Sequence, residues 1–401
     1  MKWASALYGP EGLGRGQDEL KRAINECAKQ IKREVEKPDL LIGFIAPQFI
    51  DEFDDVPELV KTAFGAKVFI GCSAGGAIGG GKEIEHKPCV SFTAASLPDV
   101  GINAFHITKE QLPDSDASPD SWIDLFCVKP AEKPAFIIMP DPFTMHSDDI
   151  IRGLDYAFPG SIKIGGLASG ANEPGSNVLY LNDHTLRSGL VGVALTGNII
   201  VDSVVAQGCK PIGKPLKITR SKRHILYELD GEPAIMSLKK TMDDLSEVER
   251  GLARDAMFLG VVMEESDEKP KAGDFLVRNI IGIEQNSGAL VVGEILDDAR
   301  TVQFHVRDAA TSADDLRLLL KKYRDEKLDG TADGVKGALL FSCLGRGEYL
   351  YGRPNHDSDC FRDYLGAVPL GGFFCNGEIG PVGNNTYLHG YTSSFGIFRQ
   401  K

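Results

Sequence analysis

The sequence has no basic excess: 44 Lys and Arg stand against 57 Asp and Glu, a formal net charge of −13. Non-specific nucleic-acid affinity comes from clustered Lys and Arg, and anionic membrane surfaces attract the same polybasic segments, so neither partner is expected. No apolar run follows Met1, Lys2 and Trp3, because Ser5, Gly9, Pro10 and Gly12 interrupt what a secretory leader needs. No uninterrupted apolar run reaches the length of a bilayer span. Eight cysteines (Cys27, Cys72, Cys89, Cys127, Cys209, Cys343, Cys360 and Cys375) lack CxxC spacing. In a chain of this size without a leader they read as thiols rather than a disulfide framework. These absences point to a reducing cytoplasm. Low-complexity and proline-rich linkers are missing too, so the two halves are expected to pack together.

What is present is globular. At 401 residues, with 42% hydrophobic and 25% charged, the chain exceeds one ordinary domain and is rich enough in apolar residues for more than one core. Two domains are expected, 1–230 and 231–401, with the boundary near Asp230. The fold class is α/β, mixed α+β, with mixed sheets covered by helices. Residues 18–36 place Leu20, Ala23, Ile24, Cys27, Ala28 and Ile31 at helical spacing. The apolar run 40–46, ended by Pro47, reads as a strand buried on both faces, and a short helix over 57–64 leads to a strand from Lys67 into glycines at 71–81. A strand at 89–97 follows. The same order recurs at 135–140, 147–158 (with Ser147 as N-cap), 161–166 and 189–196, and again at 337–343, a helical stretch ending near Tyr364, 368–372 and 387–398. In each copy the first strand precedes the glycine step by roughly thirty residues, the period of a repeated supersecondary unit. Between the second and third copies a charged helix is expected over 243–255, strands over 275–283 and 289–295, and a helix over 313–323.

Consecutive glycines after a strand let backbone N–H groups converge, and such concave donor groups attract carboxylates and phosphates. The run 71–81 is no P-loop, since no GKS/T follows at the required spacing, and it feeds no helix as a dinucleotide fingerprint does. Tight packing between repeats explains the same glycines. Candidate ligand residues are Cys72, Ser73, Gly75 and Gly76 in the first copy, and Gly165, Gly166 and Ser169 in the second. Glu83 and Glu85 alternate with Ile84, so an extended segment turns both carboxylates to one side, either for acid/base or cation chemistry or as a solvated face. In the third copy Cys343, Arg346 and Gly347 end a buried strand, where open α/β sheets bind ligands, and Cys375, Asn376, Glu378 and His389 lie downstream. Arg346, Asn376, Glu378 and His389 together suit a small zwitterion, the arginine forking onto its carboxylate. A nucleophilic thiol needs a base beside it, and Cys343 or Cys375 with His389 supplies the residue types. Such a site would make the chain a thiol enzyme or redox sensor, while a buried inert cysteine is the alternative. No metal or other cofactor is expected, because His305, His356, Asp357 and Cys360 show no zinc spacing.

Residues 68–76 (VFIGCSAGG) and 80–85 (GGKEIE) resemble the FIST N domain. Residues 302–308 (VQFHVRD), 341–347 (FSCLGRG) and 372–381 (GFFCNGEIGP) resemble the FIST C domain. These motifs occur in the family's order over about Leu40 to Phe398. The resemblance implies a sensory module, found in bacterial signalling proteins and in certain F-box proteins, that binds small ligands such as amino acids. It implies no catalytic residues. No F-box-like bundle is read before Leu40 and no signalling domain after Phe398, so a stand-alone module is expected, passing its signal to a separate signalling protein or through a homo-oligomer. A protein-recruiting adaptor is a further alternative.

Overall fold

The structure is a computed structural model and describes residues 1–9, 18–114, 116–266, 269–328, 330 and 334–401. It falls into two compact units. The first comprises Met1–Val205, Leu316–Leu388 and Thr392–Lys401; the second comprises Ala206–Asp315 and His389–Tyr391. Asp230, where the sequence places the boundary, sits at a hairpin turn of the second unit, beside the pair Leu229 and Glu232.

The first unit is a threefold repeat. Each copy carries a parallel strand pair: Leu40–Ile45 with Val68–Ser73, Ala135–Pro140 with Lys163–Gly166, and Val335–Cys343 with Leu370–Cys375. An antiparallel strand flanks each pair, Val90–Ser96, Leu190–Gly197 and Thr392–Arg399 in turn. A further strand closes that side: Lys2–Tyr8, Val100–Ile107 and Ile200–Gln207. All three sheets bury residues in one central core, with Phe44, Met139 and Phe341 among its members. In the first sheet Leu40, Ile42 and Phe44 turn to that core. Leu41 and Ile45 turn the other way, beneath helices Glu19–Ile31 and Val56–Phe64. Burial on both faces is why this strand is a continuous apolar run. Helices Pro119–Phe126 and Ser147–Ala157 cover the second sheet through Trp122, Phe126, Ile150 and Leu154.

No copy completes its own sheet. The hairpin that leaves the glycine loop of copy one, Gly76–Gly79 with Lys82–Glu85, pairs with Leu370–Cys375 of copy three. The hairpin of copy three, Glu378–Val382 with Asn385–His389, joins Lys163–Gly166 of copy two. That of copy two, Leu179–Leu181 with His184–Leu186, joins Val68–Ser73 of copy one. The exchange is cyclic. Each lent hairpin is held by the receiving copy: Tyr180 donates to Phe53 O at 3.2 Å, Thr386 N and Oγ1 donate to Asp155 at 2.6 and 2.8 Å, and Ser358 N donates to Glu83 at 2.7 Å.

Glycine is required at one position per copy. A Cβ on Gly71, Gly165 or Gly372 would collide with the carbonyl oxygen of Gly43, Ile138 or Leu340 on the parallel neighbour. The recurrent glycine step thus has a packing cause. In the first copy the run continues not as a helix but as a hairpin, whose turn glycines Gly80 and Gly81 take φ of 56° and 75°, the left-handed pair that a two-residue turn demands.

The second unit is a barrel-like sheet. Cys209–Leu229 pairs with Leu290–Leu296, which leads through Phe275–Ile283 and Met257–Val262 to Thr301–Arg307, and that strand pairs back onto Cys209–Leu229. Closure removes the exposed edges. Leu216, Leu226, Leu259, Val292 and Phe304 fill its core. The helix expected over 243–255 is two, Ala234–Asp244 and Glu247–Asp255. Leu245 between them is extended, and Ser246 forms a capping box with Glu249 that starts the second helix. Ser147 is not an N-cap: the helix begins with it, one residue after His146. No helix among the described residues is long and apolar enough to cross a membrane.

The lock on the third hairpin is testable. Lys163 is 1% exposed and rests on Asp155 at 2.7 Å and on Phe158 O at 2.7 Å, while the same aspartate holds Thr386. Asp155→Ala is therefore expected to lower urea stability on the order of 3–5 kcal/mol, the cost of stranding a buried charge. Adding Lys163→Met is expected to recover part of the loss. An unchanged urea midpoint for Asp155→Ala would show that Asp155 does not lock the hairpin.

Candidate functional site

Strand Val335–Cys343 ends in a turn that puts Arg346 before the short helix Gly347–Tyr351, and a second helix, His356–Leu365, follows at once. Arg346 is fully buried, at 0% exposure. Its Nε donates to Asp357 Oδ2 at 2.9 Å and its Nη2 to Asp357 Oδ1 at 3.2 Å, with Nη2 also donating to the Tyr351 hydroxyl at 2.6 Å. Asp357 is the hub. It accepts from Ser393 Oγ and, at 3.5 Å, from Ser342 Oγ, and its Oδ1 lies 2.9 Å from His356 Nδ1. The His356 ring stacks on Tyr351, with centroids 3.5 Å apart. Burial opposes the charges of both partners, and each overrides that for the other: Asp357 is held well below the usual carboxylate range and Arg346 above its ordinary value.

Two further carboxyls are buried close by. Glu83 Oε1 accepts from Ser358 N at 2.7 Å, while Oε2 has no partner among the described residues. Burial and then the nearby Asp357 charge push Glu83 up to about 8. Burial likewise raises Glu378 to about 7, against hydrogen bonds from Thr392 N and Oγ1 at 3.0 and 2.8 Å. Of these three buried carboxyls, the one paired with Arg346 is held low, while burial raises Glu83 and Glu378.

Glu83 and Glu85 do turn to one side, as alternation requires, and both meet the third copy: Glu85 accepts from Glu348 N at 2.8 Å. Their face is not solvated, for Glu83 is 6% exposed. The three glycine loops come together at Ser169. Its N donates to Ser73 O at 3.1 Å, its Oγ accepts from Gly75 N at 2.9 Å, and the same hydroxyl donates to Phe374 O at 2.6 Å. Cys72, Ser73, Gly76, Gly165 and Gly166 are buried in that junction, where a Cβ on Gly166 would meet Cys375 Sγ. Arg346 commits its fork to Asp357, Glu378 is bonded to Thr392, Asn376 is exposed, and His389 is counted with the second unit. Cys343 and Gly347 are buried beside Arg346 in the chain. The Cys375 thiol contacts Ser342 O at 3.5 Å and Glu378 at 3.7 Å, and burial drives it well above its ordinary value, the opposite of an activated nucleophile.

Surface cavities in the first unit include two formed by described residues. One, of about 320 Å³, is lined by Arg317, Arg353, His356, Cys360, Asp363 and Tyr364. Since His356 Nδ1 faces Asp357, Nε2 is the nitrogen left for a ligand. The other, of about 340 Å³, includes Lys109, Phe143, Thr144 and His146 in its wall. Thr144 donates to Asp141 at 2.6 Å, Asn177 bridges Asp141 at 3.1 Å, and Ser73 donates to Asn177 at 3.1 Å, so this wall is wired to the first glycine loop. Sequence reasoning missed Asp357 as the partner of Arg346 and missed Arg317, Arg353 and Asp363 altogether. The available signal was the polar run Asn355, His356, Asp357 and Ser358 opening a helix that starts ten residues after a strand-end arginine.

The raised carboxyls set a pH dependence. A carboxyl whose folded value lies above its unfolded one stabilises the fold fully below the unfolded value, and that contribution is lost as pH rises through the folded value. For Glu83 the window runs from its ordinary value of 4.5 to about 8. Stability should fall across that range, and Glu83→Gln should flatten the fall and gain on the order of 1–3 kcal/mol at pH 8. Denaturant unfolding at pH 5, 6.5 and 8 reads this directly; parallel curves for both proteins would contradict it.

The FIST N domain family matches residues 39–232 and the FIST C domain family residues 234–381. An uncharacterized protein of Mycobacterium tuberculosis is 34% identical over 382 residues, 95% of this chain and 97% of the relative. An F-box/LRR-repeat protein of Arabidopsis thaliana is 24% identical over 304 residues, 66% of this chain and 58% of its own. The human F-box only protein 22 is 50% identical over only 43 residues, 10% of this chain and 11% of its own. A solved structure described as a cyanuric acid hydrolase covers the whole of both chains at 7% identity and a TM-score of 0.31, too low to carry an argument. The FIST domains so matched are sensory and signal-transducing domains as a class. The chain belongs to the FIST family, with a FIST N domain followed by a FIST C domain.

Proposed function

We propose that this protein is an intracellular sensory module whose ligand is a small zwitterion or carboxylate, such as an amino acid, held in the cavity beside helix His356–Leu365. One observation carries the reading: a cavity of about 320 Å³ brings two guanidinium groups and a carboxylate together beside His356, which is bonded to the buried Asp357. The volume is that of a small-molecule site. Arg353, whose Nη1 donates to Asp359 at 2.9 Å, and Arg317 add positive charge for a carboxylate, Asp363 suits an ammonium group, and His356 Nε2 a further polar contact.

The wiring behind the cavity supports sensing. A ligand oxygen hydrogen-bonded at Nε2 fixes the imidazole ring whose Nδ1 lies 2.9 Å from Asp357 Oδ1. Asp357 in turn touches strands Val335–Cys343 and Thr392–Arg399 through Ser342 and Ser393, and its charge reaches Glu83 on the hairpin lent by copy one. Occupancy therefore bears on the contact that locks two copies together. The eight free thiols fit a reducing cytoplasm, and the signal would pass to a protein partner or a second copy of the chain.

A thermal-shift screen of the free amino acids and small dicarboxylates tests the site. A ligand at 100 times its Kd is expected to add about 2.7 kcal/mol to stability. Arg353→Ala, a half-exposed side chain whose loss leaves the buried cluster intact, should reduce that shift at least tenfold in apparent affinity. No shift with any of these compounds, or a shift untouched by Arg353→Ala, would count against the proposal.

A further inference from the structure

The second unit contains a guanidinium of a different kind. Arg307 ends strand Thr301–Arg307, in the segment that resembles the FIST C domain. Its Nε and Nη2 are both buried, and neither has a hydrogen-bond partner among the described residues. These two nitrogens form the side-on fork of arginine, two parallel donors spaced for the two oxygens of a carboxylate. The neighbouring carboxylate does not fill it: Asp308 turns to the helix that follows, accepting from Ala310 N, Thr311 N and Thr311 Oγ1. A buried charged donor pair left unmet is costly, and such an exception asks for an absent partner.

The surroundings hold that fork in place. Its guanidinium carbon lies 5.2 Å from the centroid of the Tyr391 ring. Tyr391 itself has φ of 65°, a left-handed conformation that a bulky residue seldom adopts. It is fixed there by its hydroxyl, which donates to Asn279 Oδ1, and by Phe258, whose ring centroid is 4.3 Å away. Strain held at one residue by over-determined surroundings is characteristic of ligand clamps. His305, two residues back on the same face of the strand, is brought down to about 4 by burial, so it is neutral at pH 7 and does not compete as a cation.

We infer that Arg307, backed by Tyr391, is a binding site in the second unit for the carboxylate of a small molecule. The site is separate from the cavity beside His356, and shares no residue with it. The buried fork of Arg307 awaits an anion, whereas that of Arg346 already holds Asp357.

The test uses the full chain labelled with 15N at arginine, with sodium acetate as probe at ionic strength held constant by sodium chloride. The Nε–Hε resonance of Arg307, assigned by its loss in Arg307→Met, is expected to shift saturably with acetate and at least tenfold less with chloride alone. Should Arg307→Met fail to fold, Arg307→Lys provides the assignment. A resonance that does not move, moves equally with chloride, or saturates only with inorganic phosphate would overturn the assignment to a carboxylate. Arg307→Met should abolish the saturable shift without lowering Tm, because it removes an unmet charge rather than a bond; a Tm fall of ten degrees or more would instead make Arg307 a structural residue and overturn the site. Arg353→Ala should leave the acetate shift unchanged, so that failure of the His356 cavity and failure of this site are read separately.

Discussion

The first unit depends on one constraint: each copy lends its hairpin to another sheet and borrows one in return. A two-strand hairpin is marginal alone in water, and here each finds its third strand only across a copy boundary. The parallel pair beside it can accept that hairpin because glycine at 71, 165 and 372 lets the strands approach without a Cβ on the neighbouring carbonyl. Packing and exchange are therefore the same requirement. A bulkier residue at any of these positions would separate the pair on which the borrowed hairpin is built. This explains why the glycine loops converge on Ser169 yet are filled rather than hollow.

The exchange also explains where the buried charge lies. Each lent hairpin must be recognised by its host, and the polar contacts that do so sit at the helix after the first strand of the host copy. In copy one that role falls to the 3-10 segment Pro47–Asp55 through Phe53 O, in copy two to Asp155, and in copy three to Ser358 beside Asp357. In copy two the lock is itself half of an ion pair, Asp155 with Lys163, and in copy three it adjoins one, Arg346 with Asp357. Arg346 and Asp357 satisfy one another, and the carboxyl of Glu83, brought in by the hairpin, must keep its proton to remain beside Asp357 at neutral pH. The lock is therefore sensitive to local charge in a way that the carbonyl of Phe53 is not.

Much of this architecture was legible in the sequence. Runs such as Leu40–Ile45 and Ala135–Pro140 declare strands buried on both faces because no polar alternation interrupts them, and the thirty-residue return of strand and glycine exposed the repeat. The motifs at 68–85 and 341–381 carried the family. The hairpins were hidden, since strands of three to five residues have too few positions for periodicity to register, and their exchange is a long-range pairing that no local pattern encodes. Strand Cys209–Leu229, with a half-exposed alternation broken by bulges, was hidden for a related reason. Arg346 was found as a polar residue at a strand end, and only the fold shows that a carboxylate from helix His356–Leu365 occupies its fork.

That contrast gives a physical criterion for telling structural arginines from binding ones. A guanidinium has five donors in a fixed plane, and folding either supplies acceptors or leaves the group in water. Arg346, at 0% exposure, has a carboxylate on its Nε and Nη2 and a phenol on Nη2 besides. Such a group adds cohesion, and to present it to a ligand would require breaking a buried pair. Arg307 buries Nε and Nη2 without acceptors among the described residues, above a tyrosine whose backbone is held off its preferred conformation. Val302, Phe304 and Val306 fill the barrel core from one face of strand Thr301–Arg307, while Arg307 lies on the other face with Thr301, Gln303 and His305. An interior that supplies two aligned donors and no acceptor is complementary to an anion from outside, and that complementarity distinguishes a receptor from a brace.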